Sequence, residues 1–511
     1  MTPIQPHDYI QSYEAGMEAL KTQPLDRNLQ HMVVLALARA GALDFAMAEY
    51  DRFGLAAVQD HEDIMALNGR LSKDLYLRSS GAQSLQHAKN AAQKYEAAFK
   101  NTLGYYSGIN SATMAFMAGM PMERVMSRVD AIETLLPTSP DNTPTDHYFI
   151  EATRAECFLL KGKKKKAIAA LHAAIDFDPL NYTAHASTLK QFVMISTKRG
   201  ESLDWLSDFR PPRPMHFAGH IRLDLNGDEQ TSLKIAISDA LQQEDIGFGY
   251  GALAAGGDIL FAEALLEQGA ELHVILPCAK EVFFQESVLP FGEDWAARFE
   301  DCLSNAASLK ILTGSINWPD NLINRLSGLS AMGHAVLQGE SLNTAPVQML
   351  ILNDLDGASY TSTHARDWAM TGNSQFRIVG GSHCALNLSG HSAHADFPCA
   401  LKQSGYSNIE NYDDIYSALD AAQKILSREE GSQISLHLNV DGENTEAILD
   451  GILTGATPQS LLASEGFVSV LAAMGGSGFN MTYAGQVNTE TLRAVRCYTI
   501  QTMAGLTYIL P

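Results

Sequence analysis

Residues 247 to 277 read GFGYGALAAGGDILFAEALLEQGAELHVILP: glycines, an apolar helical run with an acidic residue at its mouth, and a β-branched segment closed by proline. Such a stretch can hold an anion, because unpaired backbone N–H groups at a helix N-terminus carry partial positive charge. Gly249 and Gly251, flanking Tyr250, are expected to open backbone conformations closed to residues with a Cβ. Gly256 and Gly257 are expected to let the chain approach a ligand before a helix that begins at Asp258. Asp258 has two readings, a helix cap or a carboxylate for a sugar hydroxyl. Upstream, Gly219 and His220 end the segment MHFAGH, where an open α/β sheet places ligand groups. The candidate ligand-binding set is therefore Gly219, His220, Gly249, Tyr250, Gly251, Gly256, Gly257 and Asp258. A nucleotide or nucleotide sugar is the expected ligand, and no catalytic residue, metal ligand or resident cofactor is assigned.

Other chemistry is disfavoured by spacing. GYGALA satisfies a loose GxGxxA pattern, but the dinucleotide fingerprint needs an acidic residue at the far end of the following strand. Here that strand ends in Leu276 and Pro277, and Glu271 stands at its beginning. Glu263 and Glu267 share a helix face at i and i+4, as solvated residues do. The six cysteines form no CxxC and no cluster with histidine, against both a disulfide framework and a zinc site. A net charge of −22 repels nucleic acid and anionic membrane, so neither is expected as a partner. The run Lys163 to Lys166 reads as a solvated helix start. The N-terminal segment lacks the basic and apolar regions of a signal peptide, and a reducing cytoplasm fits the cysteine usage.

The elements that must position these residues fall into three regions. Up to about residue 208, Leu29, Met32, Val33, Ala36, Leu37 and Ala40 follow helical spacing. Hairpin turns at Gly41 and Gly162 suggest a repeat, with a second helix near Ala46 and another at Ala167. RPPRP, residues 210 to 214, breaks the helical pattern. From 209 to 382, strands alternate with helices, which predicts a Rossmann-like parallel sheet. From 383 to 511 the order is α+β. The fold class is multidomain: an all-α repeat domain, then α/β, then α+β.

The hairpins LALARAGALDFAMAEYDRF and CFLLKGKKKKAIAALHAAIDFDP resemble tetratricopeptide repeats. With NTLGYYSGINSATMAFMAG between them, residues 20 to 205 resemble the TRAF-binding helical region of stress-activated kinase kinase kinases and its bacterial relatives. Tyr105, Tyr106 and Asn110 either pack that segment or bind directly; no kinase signature follows. The glycine loop and its helix resemble the nucleotide-binding SLOG domains, without the PGGxGTxxE motif of the phosphoribohydrolases among them. LHLNVDG, ATPQSLLAS and YAGQV resemble the second half of a class III nucleotide cyclase. Such cyclases hold two metals with paired aspartates. Ser389 and Gly390 stand where the first is expected, Asp396 comes too late, and Asp413 with Asp414 read as a surface pair before a helix. The resemblance thus implies a degenerate cyclase homology domain, through which the chain could form a homodimer.

The combined expectation is a cytoplasmic signalling or scaffold protein. Its helical repeats bind a protein partner, and its central domain senses a nucleotide without catalysis. The alternative is a nucleotide-processing enzyme, either a hydrolase in the central domain or a cyclase at the C-terminus.

Overall fold

The computed structural model describes residues 9–136, 143–220, 227–312, 321–352, 360–379, 382–386, 397–429, 431–439, 445–454, 460–474, 479–487 and 495–502. The chain divides into two compact units, Met1–Pro211 and Pro212–Pro511. The division falls inside the proline cluster, whose rings cannot continue a helix.

The first unit is helical: α1 (Tyr9–Thr22), α2 (Arg27–Arg39), α3 (Leu43–Arg52), α4 (Glu62–Arg78), α5 (Gly81–Thr102), α6 (Tyr105–Met117), α7 (Met122–Leu135), α8 (Pro144–Leu160), α9 (Lys164–Phe177) and α10 (Tyr182–Arg199). Gly41 and Gly162 turn the chain with φ of 81° and 71°, which a side chain resists. The helix after Gly41 starts at Leu43 rather than near Ala46, because a tight αL turn needs only one further residue. The predicted apolar face of α2 is displaced. Val33, Val34, Ala36, Leu37 and Ala38 are buried and Met32 is exposed, since α2 packs against α1, α3 and α4 together. Even-numbered helices from α2 to α10 pack successively on one another, forming the inner layer of a repeat array.

The second unit contains two sheets. Its first half runs β1 (Arg213–Gly219), α11 (Gly227–Gln243), β2 (Ile246–Gly251), α12 (Gly257–Glu267), β3 (Glu271–Leu276), α13 (Lys280–Ser287), α14 (Glu293–Ser304), β4 (Ser308–Ile311), α15 (Asn321–Leu342), β5 (Val347–Ile351), α16 (Tyr360–Ala369), β6 (Ser374–Val379) and β7 (Ser382–Ala385). The sheet order is β4-β3-β2-β1-β5-β6-β7, parallel except for β7. Strand order therefore reverses between β1 and β5, the place where open α/β sheets form a crevice. Gly249 packs under Leu265 of α12, while the next residue, Tyr250, stacks toward His334 of α15. Alternation along the strand thus puts α12 and α15 on opposite faces.

The second half runs β8 (Cys399–Gln403), β9 (Ile409–Tyr412), α17 (Ile415–Arg428), β10 (Gln433–Leu438), α18 (Thr445–Thr454), β11 (Ser460–Ser464), α19 (Glu465–Ala473), β12 (Phe479–Val487) and β13 (Val495–Thr502). Its sheet order is β12-β13-β11-β10-β8-β9, with only β10 and β11 parallel. The two halves meet where α15 packs on α19. A Cβ at Gly333 would lie 2.3 Å from the Ser469 carbonyl oxygen, so only glycine permits that approach. Beside this contact Lys310 of β4 pairs with Glu465 at 3.0 Å and approaches His334 at 3.3 Å. Burial alone would raise the Glu465 pKa, yet Lys310, His334 and Arg496 hold it down at about 2.

On the α16 face a polar network is sealed in. Gln348 donates to His216 Nδ1 at 2.9 Å and to the His364 carbonyl at 3.1 Å, and Gln375 donates to Gln348 and to the Ala365 carbonyl. Both ring nitrogens of His364 are buried without a hydrogen-bond partner among the described residues. Burial holds His216 well below its ordinary pKa, His364 and His437 at about 4, and His334 at about 3.

These shifts set a pH dependence. Below an unfolded pKa near 6.5 the unfolded chain binds protons that the folded imidazoles refuse, so stability falls as pH drops toward 4. Asp258 acts oppositely, because burial raises it from 3.8 to about 6 and protonation then favours the fold. The histidines outnumber it. The urea midpoint of the second unit, followed by hydrogen exchange in β1, β5 and β6, should fall between pH 6.5 and 4. His364→Gln should reduce the slope by at most about 1.4 kcal/mol per pH unit. A flat midpoint across that window would show that the imidazoles are not held neutral.

Candidate functional site

The C-terminal end of β1 is stitched to its surroundings by backbone. His220 N–H donates to the Ile351 carbonyl at the end of β5, at 3.2 Å, and the His220 carbonyl accepts from Gly257 N–H at 3.1 Å. Gly219 and Gly257 touch through their backbones. A Cβ on Gly219 would lie 2.4 Å from the Gly257 Cα, and one on Gly257 would lie 2.5 Å from the Gly219 Cα. Both glycines are thus required by a close crossing of strand and helix.

Asp258 completes the junction. Its carboxylate accepts from Gly219 N–H at 2.8 Å and from Ala254 N–H at 3.2 Å, tying β1 and the β2–α12 loop to the first turn of α12. The expected helix start shifts by one residue: α12 begins at Gly257, and Gly256, with φ of 112°, is the N-cap without a side-chain cap bond. Asp258 is therefore not the cap, because both its oxygens are turned back onto the preceding loop and strand.

The eight candidate residues separate. Gly219, His220, Gly256, Gly257 and Asp258 assemble at the junction. Gly249 and Tyr250 lie within β2, and Gly251 ends it. Neither Gly249 nor Gly251 has a positive φ, so the expected backbone freedom is not what they supply. They make room instead: a Cβ at Gly249 would meet Leu265 Cδ1 at 2.2 Å, and one at Gly251 would meet the Phe217 ring at 2.6 Å. Tyr250 is buried on the opposite face and stacks on His273 with ring centroids 4.5 Å apart.

On the β1/β5 side stand His220 and Arg377. Among the described residues His220 Nε2 is a buried atom with no hydrogen-bond partner, and burial, then Arg377, lowers the imidazole pKa. Arg377 of β6 donates from Nε to the Leu352 carbonyl at 2.8 Å, just past the end of β5. Sequence reasoning missed Arg377, although a lone arginine in the apolar run FRIV was the available signal. This end of the sheet therefore carries an imidazole, a guanidinium and a helix N-terminus, groups suited to phosphate and hydroxyl recognition.

In the C-terminal half, Ser389, Gly390 and Asp396 lie outside the described residues. Asp414 caps α17, accepting from Tyr416 and Ser417 N–H at 2.9 Å each, so its carboxylate is committed locally. His437 Nδ1 lies 2.9 Å from Ser464 Oγ, but Ser464 is 1% exposed and offers a substrate no approach. No group of three or more metal-ligating side chains occurs among the described residues. Among them, too, no helix is long and apolar enough to cross a membrane.

Two substitutions test the junction. Gly219→Ala drives a Cβ into backbone that cannot yield, and should cost about 1–3 kcal/mol. Asp258→Ala strands the Gly219 and Ala254 N–H groups, at about 1–3 kcal/mol for each group left unsatisfied. Denaturant unfolding measures both, and wild-type stability in either variant would show that the crossing is loose.

The helical array has recognisable relatives. A family model described as Tetratricopeptide Repeats-Sensor matches residues 8–115. Similar solved structures include a thermophilic TPR protein of Thermus thermophilus, 14% identical, covering 37% of this chain and 90% of that one with a TM-score of 0.28. Another is a mutant O-GlcNAc transferase of Thermobaculum terrenum, 11% identical, covering 56% of this chain and 51% of that one with a TM-score of 0.18. A search of curated proteins found no match. Residues 8–115 thus match a tetratricopeptide-repeat family within a longer helical region, and α/β sheets of mixed strand direction follow it.

Proposed function

We propose that this chain is a signalling scaffold whose repeat array binds a protein partner and whose α/β unit senses a nucleotide without turning it over. The observation that carries the first part is the stacked helical array with its repeat-family match over residues 8–115. Stacked repeats generate extended curved surfaces of the kind that bind proteins. The second part rests on the reversal of strand order between β1 and β5, with His220, Arg377 and the start of α12 gathered at the strand ends. In this reading the working limits are 1–208 for the array, 209–382 for a SLOG-like nucleotide-binding domain and 383–511 for a cyclase-related domain. The last couples or dimerises the protein and makes no cyclic nucleotide. A cytoplasmic location accords with the cysteine usage.

The array reading is tested by affinity capture with the full chain and with a variant lacking residues 1–208. A partner retained equally by both removes the array from recognition. The sensing reading is tested by calorimetry of the full chain against adenine, nicotinamide and cyclic nucleotides, with His220→Ala and Arg377→Gln as variants. Binding at micromolar affinity, weakened about tenfold or more by either change, is expected, a loss of about 1.4 kcal/mol. Turnover of any of these nucleotides, or of ATP or GTP, with magnesium or manganese would replace the sensor with an enzyme.

A further inference from the structure

A second group of reactive side chains stands away from the β1/β5 crevice, at the beginnings of β3 and β4. His273 and Ser308 are in register across these parallel strands, so their side chains project from the same face of the sheet. Ser308 Oγ lies 2.8 Å from His273 Nδ1. Glu271 shares that face two residues before His273, and its Oε2 lies 3.4 Å from His273 Nε2. The imidazole is thus flanked by a hydroxyl at one nitrogen and a carboxylate at the other. A carboxylate at Nε2 favours the neutral tautomer that carries its proton there, which leaves Nδ1 to accept from the Ser308 hydroxyl. Tyr250, in register with His273 from β2, stacks on the ring with centroids 4.5 Å apart and planes 9° from parallel. The base is therefore held on its face as well as at both nitrogens.

Hydroxyl, imidazole and carboxylate in that order activate a serine as a nucleophile. Ser308 is exposed, whereas the His273 and Glu271 side chains are only 16% and 25% exposed, so the nucleophile meets solvent and its base is sheltered. β4 is also the edge of its sheet. Ala307 N–H donates inward to the Leu272 carbonyl at 2.8 Å, so by strand alternation the Ser308 N–H turns outward. On that side no described strand pairs with β4. An outward backbone donor beside the nucleophile is what a developing oxyanion requires.

We infer that Ser308, His273 and Glu271 form a hydrolytic triad for small, uncharged carboxylic esters. Ser308 Oγ bonds to the ester carbonyl carbon while its proton passes to His273 Nδ1, and the Ser308 N–H donates to the oxyanion. The carbon–oxygen bond to the alcohol then breaks, and the alcohol leaves with the proton held by His273. Water attacks the acyl-serine, giving a proton to His273; the carboxylic acid departs as that proton returns to Ser308 Oγ. Glu271 acts through His273 as a positioning residue, orienting the ring and balancing the imidazolium. A small acyl group is implied because α15 packs over the neighbouring strands on this face. An uncharged one follows from Glu271 and from the chain's net charge of −22, which repel anions. The nucleotide crevice shares no residue with the triad.

The test uses the full chain. An uncharged fluorophosphonate, which bonds to activated serines, should label the unmodified protein at Ser308, as located by peptide mass mapping. Hydrolysis of p-nitrophenyl acetate is the second measurement, with Ser308→Ala, an exposed position whose loss leaves the fold intact, setting the background. His273→Gln should slow both labelling and hydrolysis by about 10²–10⁴-fold, the range of general base catalysis. Glu271→Gln should lower kcat and leave KM unchanged, and Glu271→Asp should recover part of the loss. An unmodified chain that takes up no fluorophosphonate at Ser308 overturns the proposal whether or not the variants fold. So does labelling that survives His273→Gln, or an ester rate that Ser308→Ala or Glu271→Gln leaves unchanged.

Discussion

The carboxylate of Asp258 is the interaction on which the α/β unit turns. It is removed from water and pays for that with a raised pKa, yet it satisfies the N–H groups of Gly219 and Ala254 at once. Through it the end of β1, the loop after β2 and the first turn of α12 hold one geometry. The backbone contact of Gly219 with Gly257 depends on the same clamp, because two chains without side chains attract only weakly through dispersion. His220 is placed by this arrangement rather than by contacts of its own ring.

Much of the architecture was legible in the sequence. RPPRP marks the division between the units because proline removes helix donors. The alternation of β-branched runs with apolar helices announced the parallel sheet, as the spacing around Gly41 and Gly162 announced helical hairpins. The role of the glycine run was not legible. GFGYG reads equally as a turn that needs positive φ or as a strand that needs room, and only the position of Leu265 and Phe217 against it distinguishes the two. The cap reading of Asp258 fails for a related reason. A carboxylate before an apolar helix is usually a cap, and a role pointing backwards to a strand 39 residues earlier leaves no local trace.

The polar interior of the helical unit shows the same limit. Lys73 and Gln191 are 118 residues apart, and neither type signals burial by itself. What the sequence does show is the composition of α6, whose Ser107, Asn110, Ser111 and Thr113 are all buried. Small polar residues throughout a helix enclosed by its neighbours imply partners on those neighbours, and Glu62, Lys73 and Glu156 are the partners. A polar ring of this kind specifies how the helices register more strictly than an apolar contact would.

The contact between α15 and α19 also bears on how the chain is made. α15 ends at Leu342 and α19 begins at Glu465, so the ribosome must add more than a hundred residues after one before the other exists. At bacterial or eukaryotic elongation speeds that interval is roughly 6–25 s. Throughout it Gly333 and the turn around it lack the helix that will cover them, and Lys310 lacks Glu465. The first sheet can assemble early, but its surface stays unfinished until the second half emerges. Nascent chains of this protein therefore pass through a period of exposed apolar surface, when chaperones would find them.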